Sequence, residues 1–454
     1  MQIDQIILKQ VGPFEDARIL LPKGNKPDLA DVYLLTGPNG SGKSTVLYAL
    51  AGIIGCGIGP LGVDLGARRL RSQDSIAAFA VDGVHRALAW RRRTDGDCAS
   101  VPDPFVEGEL RLQTGSGSYE GYYSSDGATS IDRYAREAGG YDIHLPLNAR
   151  PKFSWAAFAY AGMRSLVDVQ LTGIQEPTFS PFEHSLSFVQ TSDTNRLAQW
   201  IANQDFKRLK AKEGGRADRA EQLQKSIRDI ELLVSQIIGE EFAFVTSEED
   251  SNVRVRRNGV VTSLGLLPDG LKAIVSWIAD LLMRLDRIPW IDDTPPLQRS
   301  FLLLLDEVDI HLHPAWQRKV LPIVQRMFPK AQIIASTHSP FVVASVDDAT
   351  IIALKVNERG ISSVESTNPS QIGVSYSAVL RSIFGIQSEF DVETERQFQE
   401  FHNAKQELFS GTSTDQQKVR QVAAELAQKS EEVGQLIAIE LRQLDRQLAQ
   451  RGGG

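Results

Sequence analysis

The stretch Gly37-Pro38-Asn39-Gly40-Ser41-Gly42-Lys43-Ser44-Thr45 decides how the rest of the chain is interpreted. From Gly37 to Ser44 it matches the pattern G-x-x-x-x-G-K-[ST] in full. An apolar run before it, residues 31–36, predicts a strand, and residues 46–51 behind it predict a helix that ends at Gly52. A strand, a glycine-rich loop and a helix in this order are the context in which the pattern binds phosphate.

Each residue type in the loop has a chemical reason to be there. Glycines let backbone N–H groups turn inward around a β-phosphate, and the helix that follows presents the positive end of its dipole. Lys43 is predicted to neutralise β- and γ-phosphate oxygens, and the hydroxyl of Ser44 to bind Mg²⁺. We therefore expect residues 37–45 to bind ATP together with Mg²⁺.

A second motif is the four-leucine run 302–305, which is followed by Asp306 and Glu307. A strand of this composition is typically buried on both faces of a sheet, and its carboxyl end is where open parallel sheets bind ligands. We expect Asp306 to bind the magnesium ion and Glu307 to polarise the attacking water. The alternative is a strand that merely ends in two solvated carboxylates.

The third motif is Thr337-His338-Ser339-Pro340, which follows the predicted strand 332–336. A histidine directly after a strand of this sheet can sense a γ-phosphate or orient the water. The predicted catalytic residues are therefore Lys43, Glu307 and His338. A histidine that is satisfied within the core is the alternative.

Composition and charge exclude several classes of protein. The 454 residues are 42% hydrophobic and 23% charged, as in soluble globular proteins. No apolar run approaches the ~20 residues needed to cross a bilayer, and the N-terminus has no signal-peptide pattern. The two cysteines, Cys56 and Cys98, are too few for a disulfide framework. We therefore expect a cytoplasmic protein without a membrane partner. The net charge of −8 restricts any DNA contact to local basic clusters. These clusters are residues 68–71, 91–93, 207–212 and 254–257.

Outside the motifs, the pattern predicts a mixture of strands and helices. Strands are expected at the N-terminus, in hairpins over 77–112, at 153–160 and over 242–261 with a turn at Asn258-Gly259; residues 113–130 are expected to form a loop. Helices are expected over 195–238, with a break at Gly214-Gly215, and over 271–285. After Asp391 two helices are predicted, 393–409 and 414–448.

Together, residues 37–45, 302–307, 309–314 and 336–340 resemble ABC-type ATPases of the RecF/SMC-like branch, and most of all the AAA-domain ATPases related to OLD proteins. The resemblance implies an α/β fold: a P-loop ABC-type ATPase head, with a mixed β lobe and a parallel-sheet core with helices, a short helical insertion and a helical C-terminal tail. It implies four parts: the N-terminal part of the head (1–165), a helical lobe (166–241), the C-terminal part of the head (242–356) and a tail for oligomer or partner binding (357–454).

In that family ATP is bound between two heads, and a signature motif from the second head completes the site. The matching segment here is 267–272, in which Pro268, Asp269 and Gly270 stand where the family has Ser-Gly-Gly. Pro268 removes a serine hydroxyl and Asp269 adds a negative charge, but Gly270 and the helix N-terminus can still donate N–H groups to phosphate. Proline and aspartate at a helix start are also ordinary capping preferences, which is the alternative.

For several positions of the family's pattern, the sequence does not decide which residue fills the role or what that residue does. The glutamine that couples Mg²⁺ to the helical lobe is either Gln175 or Gln190. Residues 159–164 resemble a Tyr-Gly-x-x-Arg segment of defence-type ATPases, which makes Arg164 a candidate nucleotide or interface contact or an ordinary surface arginine. His313 takes the place of an aspartate, and with His311 it lacks a third ligand for a metal.

The sequence also indicates whether the chain itself contains a nuclease. OLD nucleases carry a C-terminal domain with an Asp-x-Asp pair, which this chain lacks beyond Pro340, so we expect no intrinsic nuclease. A head with a helical tail is similar to the ATPase subunit of Septu-type anti-phage systems, in which a separate HNH nuclease is the effector, and residues 376–386 are similar to a segment of that group. The resemblance implies an ATP-hydrolysing switch that forms a homodimer or higher oligomer through its heads and controls such a nuclease. The alternatives are a RecF/SMC-like DNA repair or maintenance ATPase and, from another class, a P-loop kinase or transport ATPase.

Overall fold

The computed structural model describes residues 1–55, 75–81, 83–90, 100–111, 113–114, 120–124, 129–162, 166–189, 193–246, 252–370, 373–386, 388, 390–410 and 416–451. It divides into two compact units, Met1–Val379 and Leu380–Gly454. Among these residues no helix combines the length and the apolar character needed to cross a membrane.

The first unit contains strands and helices in alternation. The strands are β1 (Ile3–Val11), β2 (Phe14–Leu20), β3 (Asp31–Thr36), β4 (Ile76–Val81), β5 (Val84–Trp90), β6 (Ser100–Pro102), β7 (Glu109–Arg111), β8 (Gln113–Thr114), β9 (Glu120–Ser124), β10 (Ala156–Tyr160), β11 (Phe242–Thr246), β12 (Val253–Arg257), β13 (Val260–Ser263), β14 (Phe301–Leu305), β15 (Gln332–Ser336), β16 (Ala349–Val356) and β17 (Ser362–Pro369). The helices are α1 (Lys43–Gly55), α2 (Thr129–Gly139), α3 (Thr194–Glu213), α4 (Ala217–Ile238), α5 (Asp269–Arg287), α6 (Pro314–Met327), α7 (Pro340–Val343) and α8 (Tyr376–Ser382), of which α8 crosses into the second unit.

One half of the main sheet is parallel. Its strands lie side by side in the order β10, β14, β15, β3 and β16. All five side chains of β14 are fully buried, as expected for a strand covered on both faces. In the register, Leu305 pairs with Ala335 and Ser336 with Leu35, so the carboxyl ends of β14, β15 and β3 meet at one edge. The three sequence motifs follow these ends directly.

The other half of the sheet continues through β17, β2, β1, β4, β5, β9 and β8, and its pairs from β2 to β8 are antiparallel, whereas β17 and β2 pair in parallel. The two halves meet where β16 pairs antiparallel with β17, with Thr350 opposite Pro369 and Val356 opposite Ser362. The predicted α/β fold, with a mixed β lobe beside a parallel core, is confirmed by this topology.

The helical insertion lies between β10 and β11. The side chain of Asp193 accepts hydrogen bonds from the first N–H groups of α3, and the break between α3 and α4 falls at Gly214 and Gly215, with Gly215 at φ +69°. The small sheet β11–β12–β13 follows. Its turn has positive φ at Asn258 and Gly259, the conformation that an Asn-Gly hairpin turn requires.

Two expectations for the first unit differ from the structure. Residues 113–114 and 120–124, expected in a loop, are β8 and β9, and α2 begins at Thr129; residues 115–119 and 125–128 lie outside the described part. The predicted tail boundary at residue 357 also differs, because β17 pairs along β16 and residues 357–379 belong to the first unit. β17 is mostly polar and half exposed, so it lacks the apolar alternation that signals a strand.

The second unit contains the helices α9 (Val392–Ser410), α10 (Gln416–Ala427) and α11 (Glu431–Arg451). The single helix predicted over 414–448 is wrong: the chain breaks between α10 and α11, where the Ser430 hydroxyl accepts a hydrogen bond from the Val433 N–H. The break allows the apolar faces of the helices to meet. This core comprises Phe401, Ala404, Val419, Ala423, Leu426, Val433, Ile437 and Leu444.

Candidate active site

The loop between β3 and α1 folds back on its own lysine. Lys43 Nζ donates hydrogen bonds to the carbonyl oxygens of Gly37 at 3.0 Å and Pro38 at 2.9 Å, and the lysine is 6% exposed. Gly37, Gly40 and Gly42 have φ of +139°, +80° and +93°. At Gly37 a Cβ would also lie 2.3 Å from the carbonyl oxygen of Leu354. The loop conformation therefore requires glycine.

The loop has polar atoms that fit a bound phosphate. Ser41 Oγ is buried and has no hydrogen-bond partner among the described residues, while Pro38, Asn39 and Gly40 are exposed. Burial lowers the pKa of Lys43, and three neighbouring carboxylates, those of Asp306, Glu307 and Asp309, oppose that shift. Thr45, also predicted to bind the nucleotide, packs against Gly12, where a Cβ would lie 2.6 Å from the Thr45 Cγ2. A phosphate here would meet a buried cation and an unpaired hydroxyl.

Ser44 and Asp306 lie together although they are far apart in sequence. Ser44 Oγ donates to Asp306 Oδ1 at 3.0 Å, and Ser336 Oγ donates to the same oxygen at 2.6 Å. The backbone N–H of Asp306 donates to the carbonyl oxygen of Tyr160 at 2.8 Å, which fixes the carboxylate at the end of β14. One hydroxyl and one carboxylate form the kind of oxygen set to which Mg²⁺ binds when phosphate and water complete its shell.

Glu307 has an uncommon backbone conformation. Its φ is +49°, a left-handed value that costs energy in a residue with a side chain. Its N–H donates to Ser336 Oγ at 2.7 Å, and a Cβ at Gly162 would lie only 2.7 Å from the Cβ of Glu307. Within the described residues its half-buried carboxylate makes no hydrogen bond. The backbone of Glu307 is therefore held in place by Ser336 and Gly162.

His338 lies two residues beyond the end of β15 and is exposed in part. Its backbone N–H donates to Asp309 Oδ1 at 3.2 Å. Partial burial and the positive charge of Lys43 lower the pKa of the His338 ring below its usual value. A neutral imidazole at pH 7 follows, which can both donate and accept a hydrogen bond.

The signature-like segment forms the start of α5. Pro268 and Asp269 are exposed, and Asp269 is the first residue of the helix, with its carboxylate 3.5 Å from Lys272 Nζ. Gly270 is buried, and a Cβ there would lie 2.4 Å from the carbonyl oxygen of His311. This close approach explains the glycine. Phosphate binding by residues 268–270 stays a prediction.

The remaining candidates are distributed around the first unit. Gln175 is exposed and its carbonyl oxygen accepts a hydrogen bond from Gln199, whereas Gln190 and Arg164 lie outside the described residues. His313 Nδ1 accepts a hydrogen bond from the Ala315 N–H and so caps α6, and His311 is exposed.

The basic clusters contain several paired charges. Residues 68–71 and 91–93 fall outside the described part of the chain. In the other two clusters, Lys207 pairs with Glu176, Arg208 with Asp205 and Arg257 with Glu240. A phosphate contact made by Lys207, Arg208 or Arg257 would compete with those ion pairs.

The sequence alone predicts no role for Asp309, Ser336 or Tyr160. Asp309 stands in a quoted motif, but nothing local shows that its carboxylate binds the backbone of residue 338. Ser336 and Tyr160 end β15 and β10, and their contacts with Asp306 depend on which strands are neighbours. Their position as the last residues of two predicted strands is the signal that could have found them.

A family model described as "AAA domain, putative AbiEii toxin, Type IV TA system" matches residues 32–344, and a second model described as "AAA domain" matches residues 1–55. Septu protein PtuA of Bacillus thuringiensis is 49% identical over 57 residues, which is 13% of this chain and 14% of that protein. Retron Ec83 probable ATPase of Escherichia coli is 36% identical over 105 residues, or 23% of this chain and 19% of that protein. The aligned part thus spans a fifth or less of these relatives' lengths.

Solved structures that are similar in part include heads of SMC proteins. An SMC head bound to the C-winged helix domain of ScpA has a TM-score of 0.44 and 14% identity, covering 81% of this chain and 98% of that one. The SMC head of Thermotoga maritima has a TM-score of 0.39 and 15% identity, covering 82% and 100%.

Proposed function

We propose that this chain, which belongs to the AAA-domain family whose model matches residues 32–344, binds ATP with Mg²⁺ and hydrolyses it. The observation that carries the proposal is the 3.0 Å hydrogen bond between Ser44 and Asp306, which are 262 positions apart. It joins the phosphate-binding loop to the acidic strand beside Lys43. This is the arrangement that ATP hydrolysis at a P-loop requires.

The roles of the residues follow from their geometry. Lys43, held by Gly37 and Pro38, would bind β- and γ-phosphate oxygens, and Ser44 and Asp306 would hold the magnesium ion. Bound Mg²⁺ would neutralise charge that develops on the phosphate oxygens. Glu307 would polarise the attacking water, and the neutral ring of His338 would orient that water or contact the γ-phosphate.

A second copy of the chain completes the site in this proposal. Pro268, Asp269 and Gly270 would contact the ATP bound by the other head, by analogy with the family that the motifs resemble. The exposure of Pro268 and Asp269 at the start of α5 supports the idea, because the first N–H groups of a helix attract phosphate. The negative charge of Asp269 would weaken that attraction.

We further propose that the chain is the ATP-dependent switch subunit of a bacterial anti-phage defence complex and controls a separate HNH-type nuclease. The support is the similarity to the proteins named Septu PtuA and to the retron probable ATPase. The second unit, which has its own apolar core, is a candidate for binding the nuclease. The rival, a DNA repair or maintenance ATPase, is disfavoured by the net charge of −8, and the ion pairs of Lys207, Arg208 and Arg257 would compete with phosphate contacts.

The test compares three variants with the wild-type chain. Lys43→Ala is expected to lose ATP affinity, whereas Glu307→Gln is expected to bind ATP and lower turnover by about 100-fold or more. Lys330→Ala, which removes an exposed lysine outside the site, is the matched control and should behave as the wild type. Unchanged turnover in Glu307→Gln would show that the assigned water-polarising role is wrong.

The defence role has a separate test. With ATP and Mg²⁺ present, the Glu307→Gln variant is expected to copurify with an HNH-type nuclease encoded by a neighbouring gene. The Lys43→Ala variant is not expected to copurify with it. Cleavage of DNA by the purified chain alone would contradict the proposal that a separate protein supplies the nuclease activity. Equal recovery of the nuclease with both variants would show that bound nucleotide does not control nuclease binding.

A further inference from the structure

A fully buried ion pair in α5 binds a tyrosine from the strand next to the acidic strand. Arg284 Nε donates to Asp280 Oδ2 at 2.6 Å, and the Tyr160 hydroxyl donates to the same oxygen at 2.8 Å. The side chains of Arg284 and Asp280 are 0% and 2% exposed. Burying two charges costs solvation that their attraction does not always recover, so stability alone is a weak reason for such a pair.

The backbone of the same tyrosine reaches the candidate active site. The carbonyl oxygen of Tyr160 accepts the hydrogen bond of the Asp306 N–H at 2.8 Å. Two residues further on, Gly162 lies against Glu307, where a Cβ would be 2.7 Å from the glutamate Cβ. Tyr160 therefore touches the predicted metal ligand with its main chain and α5 with its side chain.

The ion pair also reaches the segment that leads into the helical insertion. Arg284 Nη1 donates to the carbonyl oxygens of Pro181 and Glu183, both at 2.8 Å. The carboxylate of Glu183 in turn accepts a hydrogen bond from Arg196 in the first turn of α3, at 2.8 Å. Since α5 begins at Asp269, one set of buried and part-buried hydrogen bonds joins the signature-like helix, the entry to α3 and the end of β14.

We propose that Tyr160, Asp280 and Arg284 are positioning residues that fix Asp306 and Glu307 relative to α5 and the entry to α3. A shift of these helices would then move the magnesium ligand and the water-polarising carboxylate together. The inference rests on the proposed ATPase function. Displacing a reacting group by about 1 Å is enough to cost up to ~100-fold in rate, so a hydroxyl outside the site can control turnover.

The test removes the tyrosine hydroxyl and keeps the ring. Tyr160→Phe is expected to lower kcat about tenfold and to raise the Mg²⁺ concentration for half-maximal rate about threefold, with KM for ATP within about twofold of the wild type. The matched control is Tyr134→Phe. Tyr134 is equally buried, but its hydroxyl accepts the N–H of Ala157 at 3.0 Å, near the start of the same strand.

Turnover, Mg²⁺ dependence and thermal midpoint are measured on the full chain. A purely structural role predicts that both variants lower the thermal midpoint and leave kcat unchanged, and that result in Tyr160→Phe would overturn the inference. Asp280→Asn tests the network in a second way. If Tyr160 and Asp280 act together, the double variant Tyr160→Phe/Asp280→Asn should have a kcat no lower than that of the slower single variant. A kcat reduced by the product of the two single effects would show that the residues act independently and would contradict the inference. A wild-type chain without Mg²⁺-dependent hydrolysis would instead refute the proposed function itself.

Discussion

At the scale of single residues, His338 combines an exposed position with a pKa below its usual value. Partial burial of the ring and the positive charge of Lys43 lower that pKa, so the ring loses its proton at a lower pH than a free histidine does. If the neutral ring is the active form, turnover should be constant from about pH 7 to 8 and fall only as the pH drops through the lowered pKa. The His338→Gln variant, measured over the same neutral and acidic pH values, should hydrolyse ATP more slowly, and its turnover should not fall as the pH drops through that pKa. A fall of the same shape in the variant would assign the titration to another group.

Gly162 is a second residue whose role depends on very small distances. A methyl group there would lie 2.7 Å from both the Cβ and the carbonyl oxygen of Glu307, so Gly162→Ala must displace the glutamate. We expect turnover to fall by about tenfold or more while ATP affinity is kept. Gly173→Ala is the matched control, because a Cβ at Gly173 meets nothing within 4 Å. Equal turnover in the two variants would show that Glu307 tolerates the shift or is not needed.

At the scale of secondary-structure elements, helix α1 depends on an arginine from β5. Arg86 is 1% exposed, and its Nε and Nη2 donate to the carbonyl oxygens of Ile53 and Ile54 at 2.8 and 3.4 Å. These carbonyls belong to the last turn of α1, where a helix leaves its oxygens unpaired and its dipole is negative.

Replacing Arg86 tests how much its hydrogen bonds to the end of α1 stabilise the first unit. Arg86→Met keeps most of the apolar volume but leaves buried carbonyls unsatisfied, and we expect the free energy of unfolding to fall by about 2–3 kcal/mol. Arg133→Met, which removes an exposed arginine paired within α2, is the control and should have a much smaller effect in the same denaturant titration. A loss no larger than the control's would mean that water replaces the guanidinium.

Sequence patterns were most informative where an element carries its own signal. The loop 37–45, the leucine strand and the helix break at Gly214-Gly215 are local features, and the structure has a strand, loop or helix where each was predicted. The helix 414–448 was wrong because helical periodicity continues through a turn that only the packing of α10 against α11 requires. The polar strand β17 is a sheet member for a similar reason, since its partner β16 determines its conformation.

At the scale of the whole molecule, the predicted resemblance to AAA-domain ATPases is confirmed by the family match, and the resemblance to the Septu group by the similarity to PtuA of Bacillus thuringiensis. The pairing of Ser44 with Asp306 could be anticipated because both follow parallel strands, whose carboxyl ends share one edge. The Tyr160–Asp280–Arg284 network could not, because it depends on β10 lying beside β14 and on the packing of α5, neither of which has a local pattern.

The division into two units leads to a prediction about ligand-linked stability. The predicted ATP-binding residues all lie in Met1–Val379, so ATP·Mg²⁺ should stabilise that unit directly. At about 100 times its dissociation constant a ligand adds roughly 2.7 kcal/mol to the free energy of unfolding. Calorimetry of the full chain should therefore show a transition that moves to higher temperature with ATP·Mg²⁺ and a smaller one, from Leu380–Gly454, that does not move.

The Lys43→Ala variant is the control for that measurement, because it should lose the ATP-dependent shift and keep both transitions. Glu307→Gln should show a shift at least as large as the wild type's, since bound ATP is not consumed during the scan. A single transition that moves as a whole would show that the two units unfold together. In that case the apolar core of α9, α10 and α11 does not fold independently, and nucleotide binding stabilises the entire chain.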